Sequence, residues 1–457
     1  MKSKPSSFAA IVLAAGEGTR MRSSLPKVLH EVAGRPMIGH VLAALEALEP
    51  ETTTVVIGQG QDAVAKAVAP AQTVVQHPPR GTGDAVRAAR GTLVSAPTGR
   101  TLADLDTVVV LYGDTPLLQA ETIARLLDAR RQSSAAVVVS GMRPTDHTPY
   151  GRLVLGADGS TVERIVEARD ASPEEFAITL CNGGIMAVAA EHLFDLVDRL
   201  ETNNAKREFY LTDIVGIARG RDLATTYVEL PAEEVLGVNT RAELAAAEAL
   251  VQDWLRRRAM AEGATLIAPE TVFFSADTRL GRDVVVEPNV VFGPGVTVAD
   301  NVRIRSFSHL DGAIVDEGAI VGPYARLRPG AVLERDVHVG NFVEVKATRL
   351  GAGAKANHLS YLGDSEIGGG ANIGAGTITC NYDGFNKQRT VIGENAFIGS
   401  HTALVAPVTV GDGAYVATGS VVTADVPADA LTIARARQVD KPGRARELRA
   451  RLRGKQD

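Results

Sequence analysis

The chain has 457 residues, too many for one hydrophobic core, and its 45% apolar content can supply two or three domains. A formal net charge of −6 argues against a general nucleic-acid-binding or anionic-membrane-binding surface, so an anionic substrate must be held by local groups. Only Cys181 and Cys380 occur, without metal-ligand spacing, and no stretch approaches the roughly 18 apolar residues of a membrane span, so the expectation is a cytoplasmic, soluble protein with neither nucleic-acid nor membrane partners.

Residues 8–232 alternate strand-like and helix-like segments. Ala10–Ala14, Thr54–Ile57, Thr73–Gln76, Val108–Leu111 and Ala135–Val139 read as buried parallel strands, being near-continuous apolar or β-branched runs between turn residues. Helical stretches Met37–Leu48, Thr82–Leu93 and Ala120–Ser133 fall between them. Such alternation implies a doubly wound α/β domain, assigned to residues 1–235, with ligands at the carboxyl ends of its strands. Residues 240–261 are uninterrupted helix formers ended by Gly263. They predict a helix about 30 Å long, a strut within a linker spanning 236–264.

The first strand runs through Leu13 and Ala14 into Ala15-Gly16-Glu17-Gly18-Thr19-Arg20-Met21, with Pro26-Lys27 following. A glycine loop after a first strand lets backbone N–H groups approach phosphate oxygens, and Arg20 and Lys27 add charge; a plain turn is the alternative for Gly-x-Gly alone. The strand at 108–111 ends in Tyr112-Gly113-Asp114, where a carboxylate can hold Mg²⁺ against a triphosphate or simply cap a turn. Gln76 and Arg80-Gly81-Thr82-Gly83-Asp84-Ala85 are equally a strand end with a helix cap and a set of donors and acceptors for a pyrimidine edge. Asn239 reads as a helix N-cap.

From residue 265 to 457 the pattern changes. Aliphatic side chains recur every sixth position in three runs: Leu280 to Leu310, Val315 to Val345, and Ile392 to Val422. That period predicts a parallel β-helix of short stacked rungs. The break in phase between Leu310 and Val315 marks a loop or a corner adjustment. The period stops beyond 426, and Arg444–Lys455 is a basic, helical or frayed tail without an assigned function.

Stacking alone requires none of Arg326, Arg328, Asn341, Glu344, Lys346, Asn357, His358, Tyr361 or Asn372, nor the interruption Thr379-Cys380-Asn381-Tyr382-Asp383-Gly384-Phe385-Asn386-Lys387. A break in a solenoid is usually a loop on its working face.

The string Leu-Ala-Ala-Gly-x-Gly-Thr-Arg-Met with its Pro-Lys resembles the signature loop of the sugar-nucleotide pyrophosphorylases. Residues 324–387 are similar to the acetyltransferase half of the bacterial bifunctional N-acetylglucosamine-1-phosphate uridylyltransferase / glucosamine-1-phosphate N-acetyltransferase family. The two resemblances, in that order, cover nearly the whole chain. They imply a left-handed β-helix, contrary to the usual right-handed crossover, a homotrimer, and small-molecule partners only: glucosamine 1-phosphate, acetyl-CoA, UTP and N-acetylglucosamine 1-phosphate. UTP or UDP-sugar would contact Leu13, Ala14, Ala15, Gly16, Lys27, Gln76, Gly81, Thr82, Tyr112, Gly113, Asp114, Gly151, Glu167, Asn182 and Asn239, and Asp114 and Asn239 would ligate Mg²⁺. In the other half, Arg328 and Lys346 would bind substrate phosphate, with Tyr361, Asn372 and Lys387 completing the sugar site. His358 would act as general base, Glu344 orienting it. Acetyl-CoA would lie along Asn381, Tyr382, Ser400, Thr418 and Arg435. His401 and Thr418 depart from the residues expected at their positions, which implies altered cofactor affinity at most.

Two other readings compete. A nucleotidyltransferase whose solenoid only oligomerises would leave the solenoid bland, without His358, Lys346 or Arg328. A metal-dependent hydratase would gather three histidines on adjacent coils, and His309, His338, His358 and His401 show no paired spacing.

Overall fold

The computed structural model describes residues 7–94 and 102–453. The chain divides into two compact units, at Gln252/Asp253.

In the first unit, the opening strand Phe8–Leu13 is buried on both faces. Ala9, Ile11 and Leu13 point into one core, and Phe8, Ala10 and Val12 into the other. A two-residue period with both phases apolar produces the unbroken hydrophobic run seen in the sequence. Thr52–Gly58, Gln72–Gln76 and Thr107–Tyr112 join it in parallel, and Val137–Met142 pairs in parallel with Thr225–Glu229. Cys181–Ala189 runs antiparallel between Thr107–Tyr112 and Val137–Met142, and carries the hairpin Arg152–Leu155/Val162–Val166 at its start. That central antiparallel strand and its hairpin are absent from the sequence expectation. Helices cover both faces: Thr82–Ala88 and Ala190–Asp198 contribute to one core, Met37–Glu46 and Ala120–Ser133 to the other. The helix expected over Thr82–Leu93 is split into Thr82–Ala88 and Arg90–Val94.

A helix spans Arg241–Ala261. Thr240 Oγ accepts from the Glu243 N–H at 3.2 Å while the Glu243 carboxylate accepts from the N–H groups of Asn239 (2.6 Å) and Thr240 (3.2 Å). This reciprocal cap makes Thr240 the N-cap, correcting the reading of Asn239, and leaves the Asn239 side chain available elsewhere.

The second unit is a parallel β-helix of three sheets, successive strands visiting the sheets in rotation. One coil carries Val285 to the position of Arg303, and the row Val286, Phe292, Val298, Ile304 and Leu310 is buried. A second inward row lies two residues earlier, at Val284, Val290, Val296 and Val302, then smaller at Ser308, Ala319 and Ala325. The break in phase is a corner adjustment: Asp311-Gly312 turns the chain from one strand to the next with one residue fewer, so that Val298 pairs with Val315. A further strand, Leu431–Thr432, pairs with Tyr415–Val416, so the coil extends beyond 426. Arg444–Arg453 forms an exposed helix. None of the helices among the described residues is long and apolar enough to cross a membrane.

Because Leu327 is fully buried between rungs, Leu327→Ala is expected to cost about 2–5 kcal/mol through lost burial and the cavity left behind. Denaturant unfolding of the carboxyl-terminal unit measures it.

Candidate active sites

In the first unit the strand ends converge as expected. Gly18 sits at φ 64°, and any side chain there would collide with Lys27 Cβ. Glycine therefore permits both the left-handed turn and the close approach of Lys27. The Lys27 ammonium bonds Asp114 Oδ2 and donates to Asn239 Oδ1 at 3.1 Å, and Arg20 Nη2 donates to the same oxygen at 2.8 Å. The Lys27 and Asp114 side chains are only 14% and 15% exposed. Residues far apart in sequence thus place one carboxylate and one carboxamide oxygen around a single positive centre.

A cavity of about 420 Å³ opens beside them, lined by Leu13, Ala14, Ala15, Gly16, Lys27, Gln76, Gly81, Thr82, Tyr112 and Asp114 among others. The Gln76 amide nitrogen donates to Gly81 O (3.0 Å) and Asp84 Oδ2 (3.1 Å), which turns its carboxamide into a fixed element. Gly113 is in the turn, its N–H bonded to Leu13 O at 2.9 Å. A second cavity of about 790 Å³ is lined by Arg20, Thr82, Tyr112, Glu167, Asn182 and residues of the 148–149 and 206–212 segments. Gly151 is buried behind two of its lining residues: its carbonyl accepts from the Asn182 N–H at 2.8 Å, and a Cβ added to it would stand 3.5 Å from the Glu167 carboxylate.

Arg20, Arg169 and Lys206 line the larger cavity together with Glu167, and Lys27 and Lys206 line the smaller one. Burial raises the Glu167 carboxyl above its ordinary range, and burial, then Glu167 and Asp170, push Asp213, next to the lining residue Thr212, to about 6. Burial likewise holds the Tyr112 phenol protonated. Cationic side chains beside buried accepting carboxyls suit a ligand that carries both phosphates and hydroxyl or amide donors. Sequence reasoning missed Lys206, which lines both cavities, and Tyr210 and Thr212. Thr212 Oγ lies 3.3 Å from Glu167 Oε1.

On the β-helix the residues not needed for stacking collect on neighbouring rungs. Arg326, Glu344 and Tyr361 are register partners on one sheet. Lys346 Nζ donates to Asp364 at 3.1 Å, and Asp364 also accepts from Asn381 Nδ2 at 2.5 Å. A hydrogen bond donated to the Lys387 amine, then Asp364, raises the Lys346 pKa, while the same contact depresses that of Lys387. Two lysine amines in contact, with Arg328 nearby, form a cationic cluster that an anion would stabilise.

His358 Nδ1 lies 2.7 Å from Asn341 Oδ1, its register partner one rung away. Glu344, expected to orient His358, is instead bound to Arg328 at 2.8 Å. The physical reason is the corner at Phe342: Asn341 ends a strand on the sheet of His358, whereas Glu344 starts the next sheet. Asn372 is on the His358 sheet, paired with Lys355. Ser400 and Thr418 follow strands of that same sheet along one edge, and the Gly419 N–H bonds Ser400 O at 2.8 Å. Arg435 lies on the next turn beside Gly419. Tyr382 and Lys387 are bridged across the base of the loop that interrupts the period.

A glycine-loop nucleotide cavity followed by a hexapeptide coil defines a nucleotidyltransferase joined to a hexapeptide-repeat transferase. The MobA-like NTP transferase domain family matches residues 10–215, and the bacterial transferase hexapeptide family matches 277–312 and 389–424. The chain is 53% identical to the bifunctional protein GlmU of Paramagnetospirillum magneticum, over 97% of each chain. It is 54% identical to that of Azorhizobium caulinodans over 98% of each, and 55% identical to that of Xanthobacter autotrophicus over 97% of this chain and 98% of the other. The chain belongs to the GlmU family. It is a bifunctional transferase of UDP-N-acetylglucosamine synthesis, with uridylyl transfer in its amino-terminal half and acetyl transfer in its left-handed β-helix.

Proposed function

We propose that acetyl transfer comes first and that the clustered residues divide the work as follows. In the acetyltransferase region, 265–457, Arg328, Lys346 and Lys387 bind the phosphate of glucosamine 1-phosphate, and Tyr361 and Asn372 its sugar. A carboxamide oxygen only accepts, so Asn341 Oδ1 keeps the His358 proton on Nδ1 and leaves Nε2 as the base. Nε2 takes a proton from the substrate amine as its nitrogen bonds the thioester carbon; the C–S bond then breaks, and the protonated imidazole returns the proton to the sulfur so that CoA leaves as the thiol. Acetyl-CoA lies along Asn381, Tyr382, Ser400, Thr418 and Arg435.

Asn341→Ala is expected to lower thiol release roughly tenfold, with little change in the KM for glucosamine 1-phosphate, because the imidazole stays but loses its orientation. Steady-state kinetics of the two variants Asn341→Ala and Asn341→Asp check this, the second retaining an accepting oxygen and most of the rate.

In the uridylyltransferase region, 1–235, a phosphate oxygen of N-acetylglucosamine 1-phosphate attacks the α-phosphorus of UTP, and pyrophosphate leaves. No side-chain nucleophile is required. The carbon-bound oxygens of Asp114 and Asn239 already converge on one cation, the Lys27 ammonium, which is the donor set that suits Mg²⁺. Mg²⁺ held there supplies charge neutralisation on the triphosphate. Arg20 and Lys27 add fixed positive charge, Gln76, Gly81 and Thr82 fit the base, and Gly151, Glu167 and Asn182 fit the sugar. The convergence of Lys27, Asp114 and Asn239 is the observation that carries this reading.

Residues 236–264 serve as the linker between the two catalytic regions, and the protein works as a cytoplasmic homotrimer. Supporting the trimer, Phe307, Tyr324 and Phe342 stack along one edge of the coil at centroid spacings of 4.8 and 5.1 Å, followed by Leu359 beside His358. These four side chains are 47–61% exposed. Two free cysteines suit a reducing compartment. The test is product analysis: glucosamine 1-phosphate, acetyl-CoA, UTP and Mg²⁺ yield UDP-N-acetylglucosamine, and omission of acetyl-CoA stops it. UDP-glucosamine as the main product would overturn the order of steps.

A further inference from the structure

Arg152 is fully buried, the largest such residue among those described. Its Nη1 donates to the carbonyl of Tyr150 and, at 3.4 Å, to that of Thr148; Nη2 donates to the carbonyl of Phe176 at 3.2 Å. The guanidinium carbon stands 4.3 Å from the centre of the Phe176 ring, and Nε has no partner. Every acceptor is a neutral main-chain oxygen. A buried cation held by carbonyls and one aromatic ring, with no anion beside it, is an expensive way to fill space, since an apolar side chain of similar volume would pack without the desolvation cost.

What the guanidinium joins explains it. Thr148, Pro149 and Phe176 all line the cavity of about 790 Å³, from two segments separated in sequence. Arg152 itself begins the strand that pairs with Cys181, and its neighbour Gly151 bonds Asn182, which lines the same cavity. A planar fork can bond two divergent segments at once, and a lysine ammonium at the same depth cannot.

We propose that Arg152 is a positioning residue that clamps the 148–150 and 173–176 segments into the wall of the sugar subsite, and thereby sets affinity for the sugar phosphate without contacting it. The inference rests on the reading of this cavity as the N-acetylglucosamine 1-phosphate site. Arg152→Lys in the full chain should raise the KM for N-acetylglucosamine 1-phosphate about tenfold while the KM for UTP changes less than twofold. Amide hydrogen exchange in 147–150 and 174–177 should accelerate together. Phe176→Leu provides a second route should Arg152→Lys fold poorly: it removes the ring beneath the guanidinium and should accelerate exchange in 147–150, to which Arg152 connects it. An unchanged sugar KM, or equal rises in both KM values, would overturn the clamp, as would unchanged exchange in 147–150 in the Phe176→Leu chain. Asn182→Ala separates the two levels: if it too leaves the sugar KM unchanged, the reading of the cavity is at fault rather than the clamp.

Discussion

Asp114→Asn lowers pyrophosphate release from UTP by about 10²–10³-fold or more, and leaves thiol release from acetyl-CoA within twofold of the unsubstituted protein. The asymmetry follows from what the substitution removes. Asparagine keeps the shape of aspartate and the main-chain carbonyl that accepts the Val238 N–H at 2.9 Å, so the turn survives. It removes the anionic oxygen that Lys27 bonds and that Mg²⁺, on the proposed reading, would share. Positioning of the triphosphate then loses both its cation and the fixed geometry of Lys27. Separate assays of pyrophosphate and free thiol on the same sample check the result; equal loss of both activities would mean that the effect is global.

His358→Ala does the converse. Thiol release with glucosamine 1-phosphate as acceptor falls about 10²–10⁴-fold, the range that a positioned general base contributes. Pyrophosphate release stays unchanged when N-acetylglucosamine 1-phosphate is supplied. His358 is exposed at a coil corner and bonded through Asn341, so its removal disturbs no buried row. Stability of the coil is expected to change by less than about 0.5 kcal/mol, as for surface substitutions away from special features. Loss of rate without loss of stability is what separates a chemical role from a structural one. Thiol release persisting at full rate would remove His358 from the mechanism.

The coil was readable because its buried positions obey one rule repeated many times: Val286, Phe292, Val298 and Ile304 recur regardless of what surrounds them. The corners obey a looser rule. Asp311-Gly312 drops a residue, and the sequence shows only that the period slips. The same looseness hid the partner of His358. Asn341 and Glu344 are three residues apart, and chemistry favours the carboxylate as an orienter, but the turn at Phe342 sends them to different sheets.

In the amino-terminal unit, Asp114 and the glycine loop stood out because strand ends in such sheets are where ligands bind. Lys206, Tyr210 and Thr212 did not, since they occupy a connection without periodic pattern whose position over the cavity depends on long-range contacts, such as Leu211 N–H to Thr82 Oγ at 3.0 Å. Cys181–Ala189 was legible as a polar motif at its start, while its antiparallel direction is set by pairing with distant strands.

On this reading one chain carries two independent chemistries linked by a diffusible product. The most direct test mixes Asp114→Asn protein with His358→Ala protein and supplies glucosamine 1-phosphate, acetyl-CoA, UTP and Mg²⁺. Neither variant alone should make UDP-N-acetylglucosamine at more than about 1% of the unsubstituted rate, given the factors of 10² or more expected above. The mixture should make it readily, the first variant acetylating and the second transferring the uridylyl group. A mixture as inactive as its components, or either component active alone, would contradict the account.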